Sequence, residues 1–212
     1  PCTWTDRVRR LMVGGGGTMI TLDDLAPDEV TRSTAVGERL LATAEELFYR
    51  EGIGRIGVDR LADEAGVTKR TLYQRFGSKD GLITAYLERR RHRWQSHLLD
   101  RLMAESPATA VDAIAVVFAV AEQWAEQNTR GCAFVNAWVE LSPTAPPALA
   151  VIRAEKSWMQ QVFGRVVGDD DLGVRIHLLY EGAQVLRTTM EKVDAFEQAG
   201  RMAQDLVRVN AG

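Results

Sequence analysis

Cysteine is nearly missing from this 212-residue chain, which holds only Cys2 and Cys132. Two thiols so far apart build neither a disulfide framework nor a zinc ribbon, and they suit a reducing cytoplasm. Proline is also scarce, with six residues gathered at junctions such as Pro27, Pro107, Pro143, Pro146 and Pro147. Between the junctions run long stretches of Ala, Leu, Glu, Arg and Val, a composition that favours helix. Long apolar runs are missing too. The longest, Ala113 to Ala121, has nine residues, against roughly 20 for a membrane span. The first thirty residues contain no extended hydrophobic core of the kind a signal peptide carries. A large excess of charge of either sign is absent, the formal net charge being −3, which excludes a nonspecific nucleic-acid coat protein. No nucleophile elbow, zinc spacing, P-loop or dinucleotide fingerprint is present, so neither an enzyme nor a cofactor is expected.

Positive charge is instead local. Val67 to Leu82, VTKRTLYQRFGSKDGL, holds Lys69, Arg70, Arg75 and Lys79 with Tyr73 and Phe76, against the single acid Asp80. A second basic cluster lies at Arg89 to Arg93. Just before the first, Val58, Leu61, Ala62 and Ala65 fall at i, i+3, i+4 and i+7 and make one apolar helical face. Gly66 follows where a helix end favours the left-handed conformation. Thr68 is placed to cap a second helix, whose Leu72 and Phe76 point inward. Ser78 is placed to cap a third. Two short helices around a glycine turn, the second one basic, make a helix-turn-helix for the DNA major groove. Thr68, Lys69, Arg70, Thr71, Tyr73, Gln74 and Lys79 are its candidate DNA contacts. Lys69, Arg70, Thr71 and Gln74 are expected to read base edges, and Tyr73 and Lys79 to hold phosphates. A cation at a helix N-terminus opposes the macrodipole, so Lys79 is poorly placed for stability unless an anion meets it there.

This stretch resembles the TetR-type transcriptional regulators, whose pattern AGV-x-x-x-TLY-x-x-F-x-SK-x-x-L stands here complete. It reads Ala65-Gly66-Val67, Thr71-Leu72-Tyr73, Phe76, Ser78-Lys79 and Leu82. Upstream, Ala44, Leu47, Phe48 and Gly52 occur where the family keeps its first core helix and its exit. The likeness covers about fifty residues. The departure is Gly57, where many members carry a Ser or Thr cap. Downstream, Arg130 to Leu141 and Leu178 to Ala183 resemble segments of one subgroup. The resemblance implies a three-helix DNA-binding head, a larger helical body that binds a small-molecule effector, and pairing of two copies through the last two helices.

The expected fold is therefore all-α, about nine helices, with residues 1–30 a disordered leader, 31–80 the helix-turn-helix domain and 81–212 a ligand-binding and dimerisation domain. Four glycines upstream of Met19 read as a translated ribosome-binding site, with Met19 the start. In the body, Ser106-Pro107 looks like a helix start, Asp169 to Asp171 puts acids at another, and Asp194 with Glu197 has capping-box spacing. Phe118, Trp124, Phe134, Trp138, Met159, Phe163 and Tyr180 are candidates for an apolar effector pocket. Leu172, Ile176, Leu179, Gly182, Ala183, Leu186 and Leu206 are candidates for the dimer interface. His177 and Glu181, one turn apart, are too few for a metal site, so none is expected. Cys132, after Gly131 at a helix start, reads as a small buried residue rather than a redox sensor. The expected function is a homodimeric repressor of a double-stranded palindromic operator, released by a small apolar ligand. The alternative is a DNA-binding adaptor or architectural protein whose body binds another protein.

Overall fold

The computed structural model describes residues 11–12, 19–20, 22, 25–27, 33–141 and 145–210. Among these are nine α-helices: α1 Ala35–Glu51, α2 Val58–Glu64, α3 Lys69–Phe76, α4 Lys79–Glu105, α5 Ala110–Gln127, α6 Ala133–Glu140, α7 Pro146–Val167, α8 Asp170–Thr189 and α9 Ala195–Asn210. The only strands described are a two-residue antiparallel pair, Leu11–Met12 with Met19–Ile20. The all-α expectation and its helix number hold.

The chain divides into two compact units that differ from a simple cut after residue 80. One is Asp28–Arg93 with Cys132–Glu155; the other is Pro1–Pro27 with Trp94–Gly131 and Lys156–Gly212. The physical reason lies in α6 and the start of α7. Phe134, Ala137, Ala148, Leu149, Val151 and Ile152 are buried in the same apolar cluster as Leu40, Leu47 and Phe48 of α1, Leu61 of α2 and Leu72 of α3. These segments complete the core around the three head helices, which alone are too short to close one.

Within that first unit, helix ends are set by local chemistry. Thr34 caps α1 by accepting from the Gly37 amide at 3.3 Å. Arg89 and Arg93 both reach back to acids of α1. Arg89 meets Glu38 at 2.9 Å and Glu45 at 3.7 Å, and Arg93 also pairs with Glu45. The Arg90 guanidinium lies 4.5 Å from the centre of the Tyr49 ring. The second basic cluster is thus spent on fastening α1 to α4 rather than presented as free charge.

The other unit is built on α5, whose Ile114, Val117, Phe118, Val120 and Ala121 are buried together with Met159 and Phe163 of α7 and Phe196, Ala203 and Val207 of α9. Its start differs from expectation. Ser106 takes a positive φ of 43°, and the cap is Thr109, which accepts from the Asp112 amide at 3.1 Å. Asp169 caps α8 at 2.9 Å from the Leu172 amide, as its acids foretell. At α9, Asp194 is held by the Gln198 side chain at 2.5 Å, while Glu197 pairs with Arg201, so no capping box forms. The leader expectation is corrected. Leu22 and Leu25 are buried in this unit's core, and the Trp158 indole donates to the Leu25 carbonyl at 2.9 Å. Their apolar side chains and that carbonyl give the segment partners that a polar leader would lack. The backbone at Leu11–Met12 and Met19–Ile20 forms the strand pair, also against the expected disorder, and the other residues of 1–30, save Ala26 and Pro27, lie outside those described.

Candidate nucleic-acid interface

The turn between α2 and α3 is closed by backbone bonds that favour a glycine at its centre. Gly66 has φ +63°, its amide donates to the Asp63 carbonyl at 3.1 Å, and the Val67 amide donates to the Ala62 carbonyl at 2.9 Å. This is a Schellman ending, and it leaves Val67 packed on the head core. Thr68 then caps α3, its hydroxyl accepting from the Thr71 amide at 3.1 Å. The recognition helix is thereby fixed in both start and direction, with Leu72 fully buried beneath it.

Of the seven candidate DNA contacts, Thr68, Lys69, Arg70, Tyr73 and Gln74 are exposed and Thr71 is half-buried. Tyr73 keeps 47% of its surface open, a large value for an aromatic ring in a helix. Lys69 forms an ion pair with Asp59 of α2. The Thr71 hydroxyl lies 2.9 Å from that of Thr68. Arg70, Tyr73 and Gln74 form one polar outward surface with an aromatic at its centre, and Arg75 extends its charge. Such a surface suits a groove whose walls carry phosphates and whose floor carries hydrogen-bonding edges.

Lys79 is placed at the first residue of α4 as expected, but with an intramolecular partner. It is half-buried and its ammonium donates to the Ile53 carbonyl at 2.8 Å. Burial pushes its pKa down, while Asp80 and Glu140 oppose that shift. The cost of a cation at this helix end is thus partly offset inside the chain; an ammonium has three donors, and two remain beyond the one given to Ile53. Ser78 caps α4, accepting from the Gly81 amide at 2.9 Å. At Gly57, before α2, no side-chain cap is formed.

The aromatic candidates for a pocket are divided. Phe118, Trp124, Met159, Phe163 and Tyr180 belong to one apolar cluster, with Phe118 and Tyr180 at 6.2 Å and Phe163 and Tyr180 at 5.7 Å between ring centres. Phe134 is in the core of the other unit, and Trp138 is 45% exposed there, its ring 5.3 Å from the Arg153 guanidinium. His177 and Glu181 are 3.2 Å apart, and Lys156 holds the same carboxylate at 2.6 Å. Burial raises the Glu181 pKa, but the His177 hydrogen bond and the Lys156 charge outweigh it and leave that pKa lowered. Among the described residues no group of three or more His, Cys, Asp or Glu is placed to hold a metal, and no helix is long and apolar enough to cross a membrane. Cys132 is the residue before α6 and is half-buried.

The dimer candidates are divided. Leu172, Ile176 and Ala183 are buried in their own unit, and Leu179 and Leu206 pack against that core. Leu186, itself one of the candidates, is exposed, and the other exposed apolar residues of α8 lie nearly opposite the buried stripe, at Val174, Leu178 and Val185, with Met190 just past its end and Met202 and Val209 on α9. A two-residue step turns a helix by about 200°, so the stripe at 172, 176 and 183 and that at 174, 178 and 185 look alike in sequence yet face opposite ways. Close helix approach within the chain uses other glycines. A Cβ at Gly173 would meet the Gly164 amide nitrogen at 2.5 Å and one at Gly200 the Phe118 side chain at 3.0 Å, whereas at Gly182 nothing lies within 4 Å.

Together these features define an all-helical protein that presents a helix-turn-helix on a separate compact unit. The family described as "Bacterial regulatory proteins, tetR family" matches residues 40–86, which run from α1 into α4. The chain is 37% identical over 62 residues to an HTH-type transcriptional regulator of Mycobacterium tuberculosis, 29% of this chain and 31% of that one. It is 47% identical over 51 residues to the HTH-type transcriptional activator FasR of Mycolicibacterium smegmatis, 24% of this chain and 23% of that one. These alignments therefore span less than a third of the curated relatives' own length. Likeness over the whole fold comes from solved structures. A TetR-family transcriptional regulator from Streptomyces coelicolor matches with a TM-score of 0.73 at 28% identity, over 82% of this chain and 94% of that one. A second, from Streptomyces avermitilis, matches with a TM-score of 0.69 at 28% identity, over 80% and 98%. Residues 40–86 thus match the DNA-binding part of the TetR family, and the fold is similar to that of TetR-family regulators.

Proposed function

We propose that the protein is a sequence-specific DNA-binding transcriptional regulator, a homodimeric repressor that leaves a palindromic operator when a small apolar molecule enters the unit built on α5. The observation that carries the reading is the outward face of α3. Arg70, Tyr73 and Gln74 stand exposed on a helix whose start is fixed by the Thr68 cap and whose opposite side is anchored by Leu72. Arg70 and Gln74 belong in water in any fold, but with the half-open Tyr73 between them they make a basic, aromatic, hydrogen-bonding face suited to base edges and phosphates.

Pairing is supported by the exposed apolar face of α8 and α9, since one eight-residue recognition helix contacts few bases and two-fold symmetry doubles the site. The effector reading is supported by the aromatic cluster of Phe118, Phe163 and Tyr180 with the His177–Glu181–Lys156 group on the same helices, apolar mass beside a few polar atoms. Two helices, α4 and α7, each contribute residues to both compact units, so they are the continuous elements through which occupancy of one unit reaches the other. Release requires the ligand to bind the two states unequally. Selection of bound sequences from a random duplex library, at near-physiological salt, tests the reading. An enriched inverted repeat supports it, and recovery of a salt-sensitive background without any enriched sequence counts against it.

A further inference from the structure

The Ile53–Gly54 peptide, in the loop between α1 and α2, is held at both of its polar ends. Its carbonyl oxygen accepts from the Lys79 ammonium at 2.8 Å, and its N–H donates to Glu140 Oε2 at 2.7 Å. One peptide plane thus sits between a cation from the start of α4 and an anion from the last residue of α6. The loop is shaped to admit them. Gly52 has φ +97°, and a Cβ there would lie 2.9 Å and 3.0 Å from the two Glu140 carboxylate oxygens. Glu140 also acts on Lys79, opposing the fall in its pKa caused by burial. All these residues belong to the same compact unit.

The sequence positions give the clamp its meaning. Ile53 lies two residues after α1, and Lys79 opens α4, so their hydrogen bond closes the chain around the whole helix-turn-helix, 26 residues apart. The direction of α3 depends on where α2 and α4 begin, because the turn on one side and Gly77-Ser78 on the other leave little slack. We infer that Glu140 is a positioning residue for DNA recognition: by gripping the Gly54 N–H it fixes the α1–α2 loop, and through it the direction of the recognition helix. The inference rests on the DNA-binding reading above. It extends recognition to an acid 86 residues from the loop it grips, outside the stretch that the family profile matches.

The competing physical expectation has the opposite sign. Glu140 is exposed, and an exposed carboxylate near a DNA-binding face repels phosphates, so its removal would tighten binding to every duplex. The test uses the full chain with Glu140→Ala and Glu140→Gln, measured by fluorescence anisotropy on a selected operator across a salt series. Amide exchange of the 52–57 loop is measured alongside. The clamp predicts operator affinity about tenfold weaker for Glu140→Ala with an unchanged salt slope, since no phosphate contact is lost. It predicts near-native affinity for Glu140→Gln, whose amide oxygen still accepts from Gly54, and loop exchange at least about tenfold faster in the alanine variant alone. Tighter binding by both variants, or loop exchange unchanged in Glu140→Ala, overturns it. Should the wild-type chain show no preferred sequence, the DNA-binding reading fails on its own account, and loop exchange still decides whether Glu140 holds the loop.

Discussion

Helices α3 and α8 each turn a face toward water, and the two faces are of opposite kind. On α3 the side chains are Arg70, Tyr73 and Gln74, with Arg75 beside them. On α8 they are Val174, Leu178, Val185 and Leu186, with Leu178 69% exposed. The first surface is suited to a polyanion, where affinity falls with salt as counterions are released. The second is suited to another apolar surface, where association is nearly indifferent to salt. One chain therefore carries two outward faces governed by different physics, and each can be broken without touching the other.

The largest effect is expected from breaking the apolar face. Leu178→Glu with Val185→Glu should give a monomer by sedimentation and lower operator affinity by about 100-fold, the loss of linkage between two heads, while each head keeps its fold. Next comes the polar face. Arg70→Ala should cost about 1–3 kcal/mol on the operator and much less on random duplex, measured as a ratio of affinities with the oligomeric state unchanged. Lys79→Ala should weaken binding to all sequences and reduce the salt slope by about one, with a further loss on the operator because the Ile53 carbonyl is released; a slope equal to wild type removes the phosphate role. Thr68→Ala acts one step further back. Loss of the α3 cap should destabilise the head by about 1 kcal/mol, read by thermal unfolding, with a smaller loss of affinity.

The smallest effect is one of pH. Hydrogen bonds from Arg60 first, and then from Arg50, hold the Glu51 carboxyl below its ordinary value of 4.5, at about 2. A depressed carboxylate contributes stability that is present above its unfolded pKa and is lost as pH falls through the folded one. The Tm gap between wild type and Glu51→Gln should therefore shrink between about pH 4.5 and about pH 2. Because its arginine partners are exposed to solvent, the gap should also shrink in high salt.

The two faces were unequally legible in the sequence. On the head, roles follow from neighbours a few residues away: Gly66 at a helix end, Thr68 three residues before the amide it caps, Leu72 and Phe76 one turn apart. Short-range rules decide such cases, and the turn, the cap and the inward leucine are all found where those rules place them. In the other unit, Leu172 and Val174 are both apolar on the same helix, and only the packing of α7 and α9 decides which one is inside. Distant pairings were hidden for the same reason. Glu140 grips Gly54, Arg89 meets Glu38, and Trp158 meets the Leu25 carbonyl, each across at least 51 residues. Nothing in the spacing of residues marks such partners. The glycines Gly52 and Gly54 were the available hint, since two glycines flanking an isoleucine after a helix leave the backbone open to a side chain from elsewhere.

The most direct test of the account is to repeat the random-library selection with Gln74→Ala and compare the enriched sequences with those of wild type. If α3 reads base edges and two copies bind together, the preference should relax at one position in each half of the inverted repeat, at mirror-related places. An unchanged sequence profile, or a change confined to overall affinity, would contradict the claim that this face of α3 reads DNA.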